Sequence, residues 1–322
     1  MTAVNLLPPG LLDDALREDV RAGLTATPKS LPSRWRYDLH GRALFEKVTQ
    51  LPGYYPAKAE GAILGAAASR IAQLSAAATV VELGPASPGR TRLVLDALRA
   101  RGGLAAYVGV DVNAHAVGET ARALAAGYPE LAIRPIETDF EGHLGLPGYP
   151  GTGATLVMSL GPTFGSMPPA QRAAFLAGVR ARLSAGDAVL LGGALVKDRS
   201  VLTAAYHDGV GLSAALNRNM LVMLNDRLGA DFDPDAFDHV AVWVPEASRV
   251  ELRLRSVVRQ QVRVPGADLA VSFASGEEMR TEIATRFRRD GLEAELAAAG
   301  LAARAWWTDA DESFGVSLSV PR

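Results

Sequence analysis

The sequence predicts an α/β fold with a parallel sheet and a second, α+β lobe, and two observations support this. Short apolar runs of strand length alternate with amphipathic stretches of helix length over residues 61–196, as βαβ units require. From residue 197 the pattern changes to a helical stretch and then to tight alternation of apolar and charged residues. Such alternation is typical of an antiparallel sheet with one solvated face.

The alternating region begins with an amphipathic helix of about 18 residues, in which apolar residues such as Ile63, Ala67 and Ile71 recur at spacings of three and four. A Pro-Pro start and a glycine after the end mark the last helix of the region. The predicted strands are 78–84, 105–111, 131–138, 154–161 and 187–196, and the helices between them are 90–101, 114–126 and Pro168–Ser184.

The second lobe is predicted as an insertion that interrupts the α/β region. Residues 200–228 look helical, and residues 249–273 read as an antiparallel meander with 261–264 and 269–273 at hairpin spacing. The chain then returns to a helix over 292–300 and two terminal strands around a polar turn. We therefore predict one domain from 61–196 plus 286–322, a second from 1–60 plus 197–285, and a ligand cleft between these lobes.

The composition is that of a globular protein and excludes several kinds of site. The chain has 322 residues, 48% hydrophobic and 21% charged, which suits two domains or one large one. It has no cysteine, so a disulfide scaffold, a thiolate metal site and a Cys nucleophile are excluded. The 33 Lys and Arg nearly balance the 35 Asp and Glu, so we expect neither a nucleic-acid nor a membrane partner.

The spacing of the histidines and the lack of long apolar segments bear on metal binding and on location. The histidines form no closely spaced pair along the chain, so we expect no metal site. No basic or long apolar segment precedes the first acidic residues, and no stretch reaches 18 uncharged apolar residues, so we expect a cytoplasmic protein. We also expect a monomer. The histidines are His40, His115, His143, His207 and His239.

Three consecutive predicted strands end in residues suited to a nucleoside. The first ends in ELGPASPG (82–89), a GxAxxG variant of the glycine loop. Asp111 ends the second strand, where an acid can accept both ribose hydroxyls, and Asp139 follows the third, where it can accept from an adenine amino group beside Phe140. A single such acid more often caps a helix or turn, but three together indicate a binding site. The predicted cofactor-binding residues are Glu82, Gly84, Ala86, Arg90, Asp111, Asp139 and Phe140.

The details of the loop favour S-adenosylmethionine over a dinucleotide. Ala86 replaces the second glycine and prolines stiffen the loop, whereas a pyrophosphate favours intact glycines at an open helix N-terminus. The E-x-G step and the terminal strand pair are typical of a class I methyltransferase, a Rossmann-like fold. A dehydrogenase is the weaker alternative, because Asp111 follows Gly84 by more than the roughly 20 residues usual for a dinucleotide fingerprint.

Motifs throughout the chain resemble those of the L-histidine Nα-methyltransferases of ergothioneine biosynthesis, which make hercynine from histidine with S-adenosylmethionine. The resemblance implies a two-lobed architecture with a substrate-binding lobe formed by residues 1–60 and about 197–285. The matching segments are RAGLTATPKSLPSRWRYDLHGRALFEKVTQLPGYYPAKAE (21–60), LVKD (195–198), AYHDGVGLSAALNRNML (205–221), DFDPDAFDHVAVW (231–243), ASGEEMRTEIATRF (274–287) and WWTD (306–309).

The resemblance also implies roles for individual residues. Tyr37 and Tyr206 stand where family tyrosines hold the substrate carboxylate, and Tyr54 stands where one lines the pocket near amine and ring. Glu282 matches the acid that bonds the imidazole. These roles suit the groups, because a phenol donates to a carboxylate and a carboxylate accepts from an imidazole N–H.

Two residues depart from the family pattern. Ser166 stands where the family usually has an Asn that holds the substrate amine, and Ala284 where a Ser helps Glu282 grip the ring. A missing hydrogen bond to a charged group costs about 1.5–3 kcal/mol. The leading hypothesis is therefore Nα-methylation of histidine or a histidine-like substrate, with water accepting the amine proton and no catalytic residue assigned. The alternatives are a methyltransferase for another amino acid or amine, and a weak or inactive paralogue that binds ligand.

Overall fold

The computed structural model describes residues 2–85, 87–140 and 153–322. Ala86 of the predicted cofactor loop and residues 141–152, which include His143, lie outside the described residues. The chain divides into two compact units. The first comprises Met1–Leu7, Pro56–Val196 and Arg286–Arg322, and the second comprises Pro8–Tyr55 and Lys197–Thr285.

The strands of the described residues, numbered along the chain, are β1 Val4–Asn5, β2 Lys29–Ser30, β3 Thr79–Leu83, β4 Ala106–Asp111, β5 Ala132–Glu137, β6 Thr155–Ser159, β7 Ala188–Ala194, β8 Phe237–Val244, β9 Arg249–Ser256, β10 Gln260–Val264, β11 Leu269–Phe273, β12 Glu278–Thr285, β13 Leu301–Thr308 and β14 Phe314–Pro321. The α-helices are α1 Leu11–Thr25, α2 Leu39–Thr49, α3 Tyr55–Ser75, α4 Pro88–Arg101, α5 Ala114–Ala125, α6 Thr163–Ser166, α7 Pro169–Arg182, α8 Arg199–Ala204, α9 Leu212–Leu228 and α10 Arg289–Ala298. A 3-10 helix, Ser33–Arg36, precedes α2.

The first unit is built on an eight-stranded sheet with the order β1-β5-β4-β3-β6-β7-β14-β13. The pairs from β1 to β7 are parallel. The two C-terminal strands add an antiparallel hairpin beside β7. Every residue of β3, β6 and β7 is buried, as expected for strands covered on both faces. The predicted α/β fold with a terminal hairpin, as in class I methyltransferases, is confirmed.

Helices cover both faces of this sheet because successive strand residues point in opposite directions. Val80 of β3 packs in an apolar cluster with residues of α3, α4 and α5, such as Ile71 and Leu95. Its neighbour Val81 packs in a second cluster with residues of α7 and α10, such as Phe175. Two layers of helices therefore hold the strands in place, and the loops at their ends are left to carry function.

The second unit contains a sheet with the order β2-β12-β9-β8 and a separate two-stranded sheet of β10 and β11. Helices α1 and α9 share an apolar cluster with these strands, in which Leu16 and Met220 meet Leu254 and Met279. On the polar side of β9, Glu251 is buried among arginines and accepts hydrogen bonds from Arg249, Arg253 and Arg280. The charged residues of the predicted alternation thus form an ion-pair network.

The structure corrects three predictions of detail. Residues 200–228 are not one helical stretch, because α8 and α9 are separated by a turn in which the Asp208 carboxylate accepts backbone N–H groups of Val210, Gly211 and Ser213. The predicted meander over 249–273 is interrupted, since β9 pairs with β8 and β12 and not with β10. Residues 1–60 are not all outside the parallel sheet, because Val4–Asn5 pairs with the outer edge of β5.

None of the helices in the described part of the chain combines the length and the apolar character that a membrane crossing requires.

Candidate functional site

The strand order of the first unit reverses beside β3, since the chain runs outward through β4 and β5 on one side and through β6 and β7 on the other. Ligands of open α/β sheets bind at the carboxyl ends of the strands near such a reversal. Gly84, directly after β3, has φ +69°, and a Cβ there would lie 3.1 Å from Oγ1 of Thr163 and 3.5 Å from the Phe140 ring. The loops after β3, β5 and β6 therefore converge at this glycine.

Glu82 of the predicted cofactor set is tied to its own sheet. The side chain is buried, and its Oε2 accepts hydrogen bonds from the Tyr107 hydroxyl at 2.7 Å and from Thr91 Oγ1 at 2.8 Å. Burial raises the pKa of Glu82, and the two hydrogen bonds oppose that shift. The carboxylate thus links β3 to β4 and α4.

Arg90 is held by an acid that the sequence analysis missed. Glu60 of α3 is fully buried, and its Oε2 lies 3.0 Å from a guanidinium nitrogen of Arg90. Its Oε1 accepts the backbone N–H of Gly161, which follows β6, at 2.7 Å. Burial raises the pKa of Glu60, against the opposing effect of Arg90. This carboxylate joins the loop after β6 to the start of α4 at the reversal of strand order.

The two predicted nucleoside acids lie at the ends of neighbouring strands. Asp111 is buried at the end of β4, and its Oδ1 accepts the backbone N–H of Asn113 at 2.9 Å. Asp139 is fully buried after β5, and Phe140 beside it packs on Phe175 with ring centroids 6.4 Å apart. The structure thus brings both acids and Phe140 to the same edge of the sheet as Gly84.

Ser166, the first departure from the family pattern, ends the short helix α6 in the first unit. Its hydroxyl donates to the carbonyl oxygen of Thr163 at 2.8 Å. The short side chain is therefore satisfied within its own helical turn. The Ser159 hydroxyl at the carboxyl end of β6, in contrast, is buried and has no hydrogen-bond partner among the described residues.

The three predicted substrate tyrosines form one aromatic row in the second unit. Tyr37 packs edge-on against Phe45 at 5.4 Å between ring centroids, Phe45 against Tyr54 at 5.9 Å, and Tyr54 against Tyr206 at 6.3 Å. Such edge-to-face contacts fix ring orientation. Phe45, which the sequence analysis did not single out, is the link between Tyr37 and the other two.

Tyr37 is oriented by the backbone on either side of it. Asp38 caps α2 by accepting the backbone N–H of Gly41 at 2.7 Å. The Asn219 amide of α9 donates both to that carboxylate at 2.8 Å and to the Arg36 carbonyl at 3.0 Å. The residues flanking Tyr37 are thereby fixed to α9.

Arg36 connects Tyr37 to Glu282 inside the second unit. Its Nη2 donates to the Tyr37 hydroxyl at 2.8 Å and forms an ion pair with Oε2 of Glu282 on β12. The two charged side chains are 2% and 4% exposed, so water screens the pair poorly. The residues matched to the carboxylate end and to the ring end of the substrate therefore share one arginine.

His239 of β8 supports Tyr206. Its Nδ1 lies 3.0 Å from the Asn217 amide nitrogen, which can only donate, so Nε2 carries the proton that is given to the Tyr206 carbonyl at 2.9 Å. Burial lowers the pKa of His239 and so favours the neutral ring. Asn217 also accepts from the Thr281 hydroxyl, beside Glu282. The His239 ring lies 5.6 Å from that of His207, although the two are far apart in sequence.

Ala284, the second departure, is buried on β12 opposite Val250 of β9. It lies two residues beyond Glu282, after an irregularity in strand register between Arg280 and Glu282. Ala284 and the four other predicted substrate residues in this part of the chain, Tyr37, Tyr54, Tyr206 and Glu282, belong to the second unit. Ser166 and the described cofactor residues belong to the first.

The residues that sequence reasoning missed are Glu60, Phe45, Arg36 and His239. Glu60 left a signal, because it stands three residues before Ile63 on the apolar stripe of α3, where a charge is unexpected. Arg36 and Phe45 lie inside the matched N-terminal segment but have no pattern of their own. Among the described residues, no three His, Cys, Asp or Glu side chains group as metal ligands would.

Comparison with known proteins identifies the family. A sequence model of the histidine-specific, S-adenosylmethionine-dependent methyltransferases matches residues 16–321. The chain belongs to this family. It is 46% identical over 320 residues to a histidine N-alpha-methyltransferase of Mycolicibacterium smegmatis, covering 99% of each chain. It is 47% identical over 306 residues to one of Mycobacterium tuberculosis, covering 95% of each.

Among solved structures, the mitomycin 7-O-methyltransferase MmcR has a TM-score of 0.48 and 15% identity, over 98% of this chain and 69% of that one. Family membership confirms the predictions of an enzyme, of methyl transfer and of S-adenosylmethionine as the cofactor. The dehydrogenase alternative falls with it.

Proposed function

We propose that this protein transfers methyl groups from S-adenosylmethionine to the α-amino group of histidine. The observation that carries the proposal is the junction of Tyr37 and Glu282 through Arg36, which places a carboxylate donor and a ring acceptor in one rigid group. The mycobacterial relatives, named as histidine N-alpha-methyltransferases, support the same substrate.

The first unit would hold the methyl donor. Gly84 has no side chain to fill the space beside Thr163 and Phe140. Asp111 would accept from the ribose hydroxyls, and Asp139 from the adenine amino group beside Phe140. The unpartnered Ser159 hydroxyl at the end of β6 fits a polar ligand at this edge. S-adenosylmethionine supplies an electrophilic methyl group there. We assign Arg90, held by Glu60, to the same site.

The second unit would hold the amino acid. Tyr37 and Tyr206 would donate to its carboxylate, Tyr54 would line the pocket, and Glu282 would accept the ring N–H. The described contacts support these roles, because Phe45 and His239 fix the ring of Tyr37 and the backbone of Tyr206. Ser166 is the proposed contact to the amine, reached directly or through water.

The chemistry requires positioning more than acid–base groups. The α-amino group would lose its proton to water and offer its nitrogen lone pair, and S-adenosylmethionine would supply the methyl group and keep the electron pair of the broken carbon–sulfur bond on sulfur. Holding the reacting atoms about 3–3.5 Å apart supplies much of the rate. A pH–rate profile that rises with amine deprotonation is expected. An acid limb removed by one side-chain substitution would reveal a dedicated base instead.

The proposal is tested by incubating the protein with S-adenosylmethionine and a panel of amino acids and identifying products by mass. Methylated histidine is the expected product. A methylated product from another amino acid alone would replace the substrate, and binding of the methyl donor without turnover would contradict the activity.

A changed or weakened activity is the second candidate, and two observations favour it. The Ser166 hydroxyl donates to Thr163, and the Ala284 side chain is a methyl group without a polar atom. The double variant S166N/A284S should raise histidine turnover if Ser166 and Ala284 leave the substrate with fewer hydrogen bonds. An unchanged turnover would show that they do not face the substrate. The monomeric state and the cytoplasmic location stay predictions.

A further inference from the structure

The Arg36 side chain of the Arg36–Glu282 pair has buried nitrogen donors that neither Glu282 nor Tyr37 accepts from. Arg36 is 2% exposed, and its Nη2 donates to Tyr37 and pairs with Glu282. Its Nε and Nη1 are buried and have no hydrogen-bond partner among the described residues. Buried donors left unpaired destabilise a protein, so they point to an acceptor that a ligand or water provides.

The Glu282 carboxylate is a hydrogen-bond acceptor on the same pair, and the positive charge of Arg36 offsets its negative charge. A neutral imidazole has one N–H to give and one lone-pair nitrogen to accept, whereas an imidazolium has two N–H groups and no acceptor. A site that offers a carboxylate acceptor and guanidinium donors, with no net charge, matches the neutral ring. An imidazolium would bring a like charge next to the Arg36 guanidinium and leave one of its two N–H groups without an acceptor.

We propose that Arg36 and Glu282 form a recognition pair for an uncharged ring that carries one N–H and one lone-pair nitrogen, so that the protein selects histidine with a neutral imidazole. This inference rests on the proposed function, since it takes Glu282 as the ring contact. Arg36 acts as a specificity residue at the ring and as a positioning residue for Tyr37.

Other charged and titratable groups surround the pair, and the test has to distinguish their titration from that of the bound ring. On its own segment Arg36 is followed by Tyr37 and Asp38, and α9 contributes the neutral Asn219 amide to that segment. Tyr206 on the turn before α9 joins the aromatic row that begins at Tyr37, and Tyr54 lies between them. On β8, burial lowers the pKa of His239 and the charge of Arg36 adds to that effect. The further titratable or charged neighbours are the side chains of His207 and Asp208 near His239, and those of Glu251, Arg253 and Arg280 on β9 and β12.

The test measures ligand binding between pH 5 and pH 7.5, by calorimetry, to the protein saturated with S-adenosylhomocysteine. Over this range the α-amino group stays protonated, so histidine titrates only at its ring, near pH 6.5. The comparison ligand is 1,2,4-triazol-3-yl-alanine, whose ring keeps an N–H and stays neutral. Histidine affinity should fall about tenfold for each pH unit below the ring pKa. Triazolylalanine affinity should change less than about threefold.

Variants assign the effect to Arg36. R36Q removes the positive charge and should reduce the loss of histidine affinity at pH 5 to less than about threefold, because the imidazolium then pairs with the Glu282 anion. R34Q is the matched control, since Arg34 lies in the same 3-10 helix and pairs with Asp19 instead. R34Q should keep the wild-type pH profile. R36K keeps the charge and should keep the profile with weaker binding, which provides a reading if R36Q fails to fold.

Three results would overturn the inference. These are equal pH dependence for the two ligands, a folded R36Q with the wild-type profile, and an R36K variant with a flat profile. If the wild-type protein neither binds nor methylates histidine, the proposed function fails. If it methylates histidine but binds it with pH-independent affinity, only the neutral-ring selection fails.

Discussion

Glu60 and Arg90 form an ion pair that joins α3 to the start of α4, with 3.0 Å between Oε2 and Nη1. The glutamate is fully buried, and its other oxygen accepts the N–H of Gly161. One side chain therefore joins the loop after β6 to the start of α4, beside the reversal of strand order. Removing a charge from a buried pair leaves the partner uncompensated, which makes this contact sensitive to substitution.

We predict that E60Q weakens binding of the methyl donor while leaving the chemical step largely intact. Glutamine keeps the acceptor for Gly161 but not the charge that holds Arg90. The KM for S-adenosylmethionine should rise about tenfold, equivalent to about 1.4 kcal/mol, with kcat changed less than about threefold. Steady-state kinetics check this, with E130Q at an exposed acid of the same unit as the control. A fall in kcat at constant KM would contradict the prediction.

A second prediction concerns Glu82 and the pH dependence of stability. Burial raises its folded-state pKa above the unfolded value, so its contribution to stability is present at low pH and lost as the pH rises through the folded pKa. E82Q keeps an acceptor for Tyr107 and Thr91 without the buried charge. Relative to the wild type, it should gain unfolding free energy between pH 5 and pH 8, by about 1.4 kcal/mol per unit of pKa shift. Urea unfolding at the two pH values measures the difference. Equal values would mean that Glu82 is not the group responsible.

For His239 we expect the opposite dependence of stability on pH. Burial lowers its folded-state pKa below the unfolded value of about 6.5, so the stability it contributes is present above that value and lost as the pH falls. Protonation would remove the acceptor that Nδ1 offers to Asn217. The wild-type protein should therefore lose unfolding free energy between pH 7 and pH 5, and H239Q should lose less over the same range. A variant with the wild-type slope would show that another group titrates there.

The aromatic row predicts a role for Phe45 in substrate binding. F45L removes the ring that links Tyr37 to Tyr54, and each aromatic contact is worth about 0.5–1.5 kcal/mol. The KM for histidine should rise about threefold to tenfold with a smaller change for S-adenosylmethionine. Phe232 is the matched control, since it packs among Phe237 and Phe273 in the core of the same unit. F232L should lower the melting temperature without raising the KM for histidine. The reverse pattern would remove Phe45 from the substrate site.

Much of the first unit was predictable, because buried parallel strands read as short apolar runs wherever both faces are covered. The second unit was harder. Strand β12 contains Thr281, Glu282 and Thr285 among apolar residues, and these polar groups conceal its period. The turn between α8 and α9 was missed because Asp208 organises it through backbone hydrogen bonds that no hydrophobic pattern reveals.

The sequence by itself determined the class of the fold, the acids at the strand ends and, through its matched motifs, the family. The matched motifs also identified Tyr37 and Glu282 individually as candidate substrate residues. Only the tertiary structure decided that these two meet at Arg36, whose partner on β12 lies 246 residues away along the chain. The physical reason is that periodicity reports which face of an element is buried. Which charges meet inside the protein depends instead on strand order and register, and these arise only when distant segments pack together.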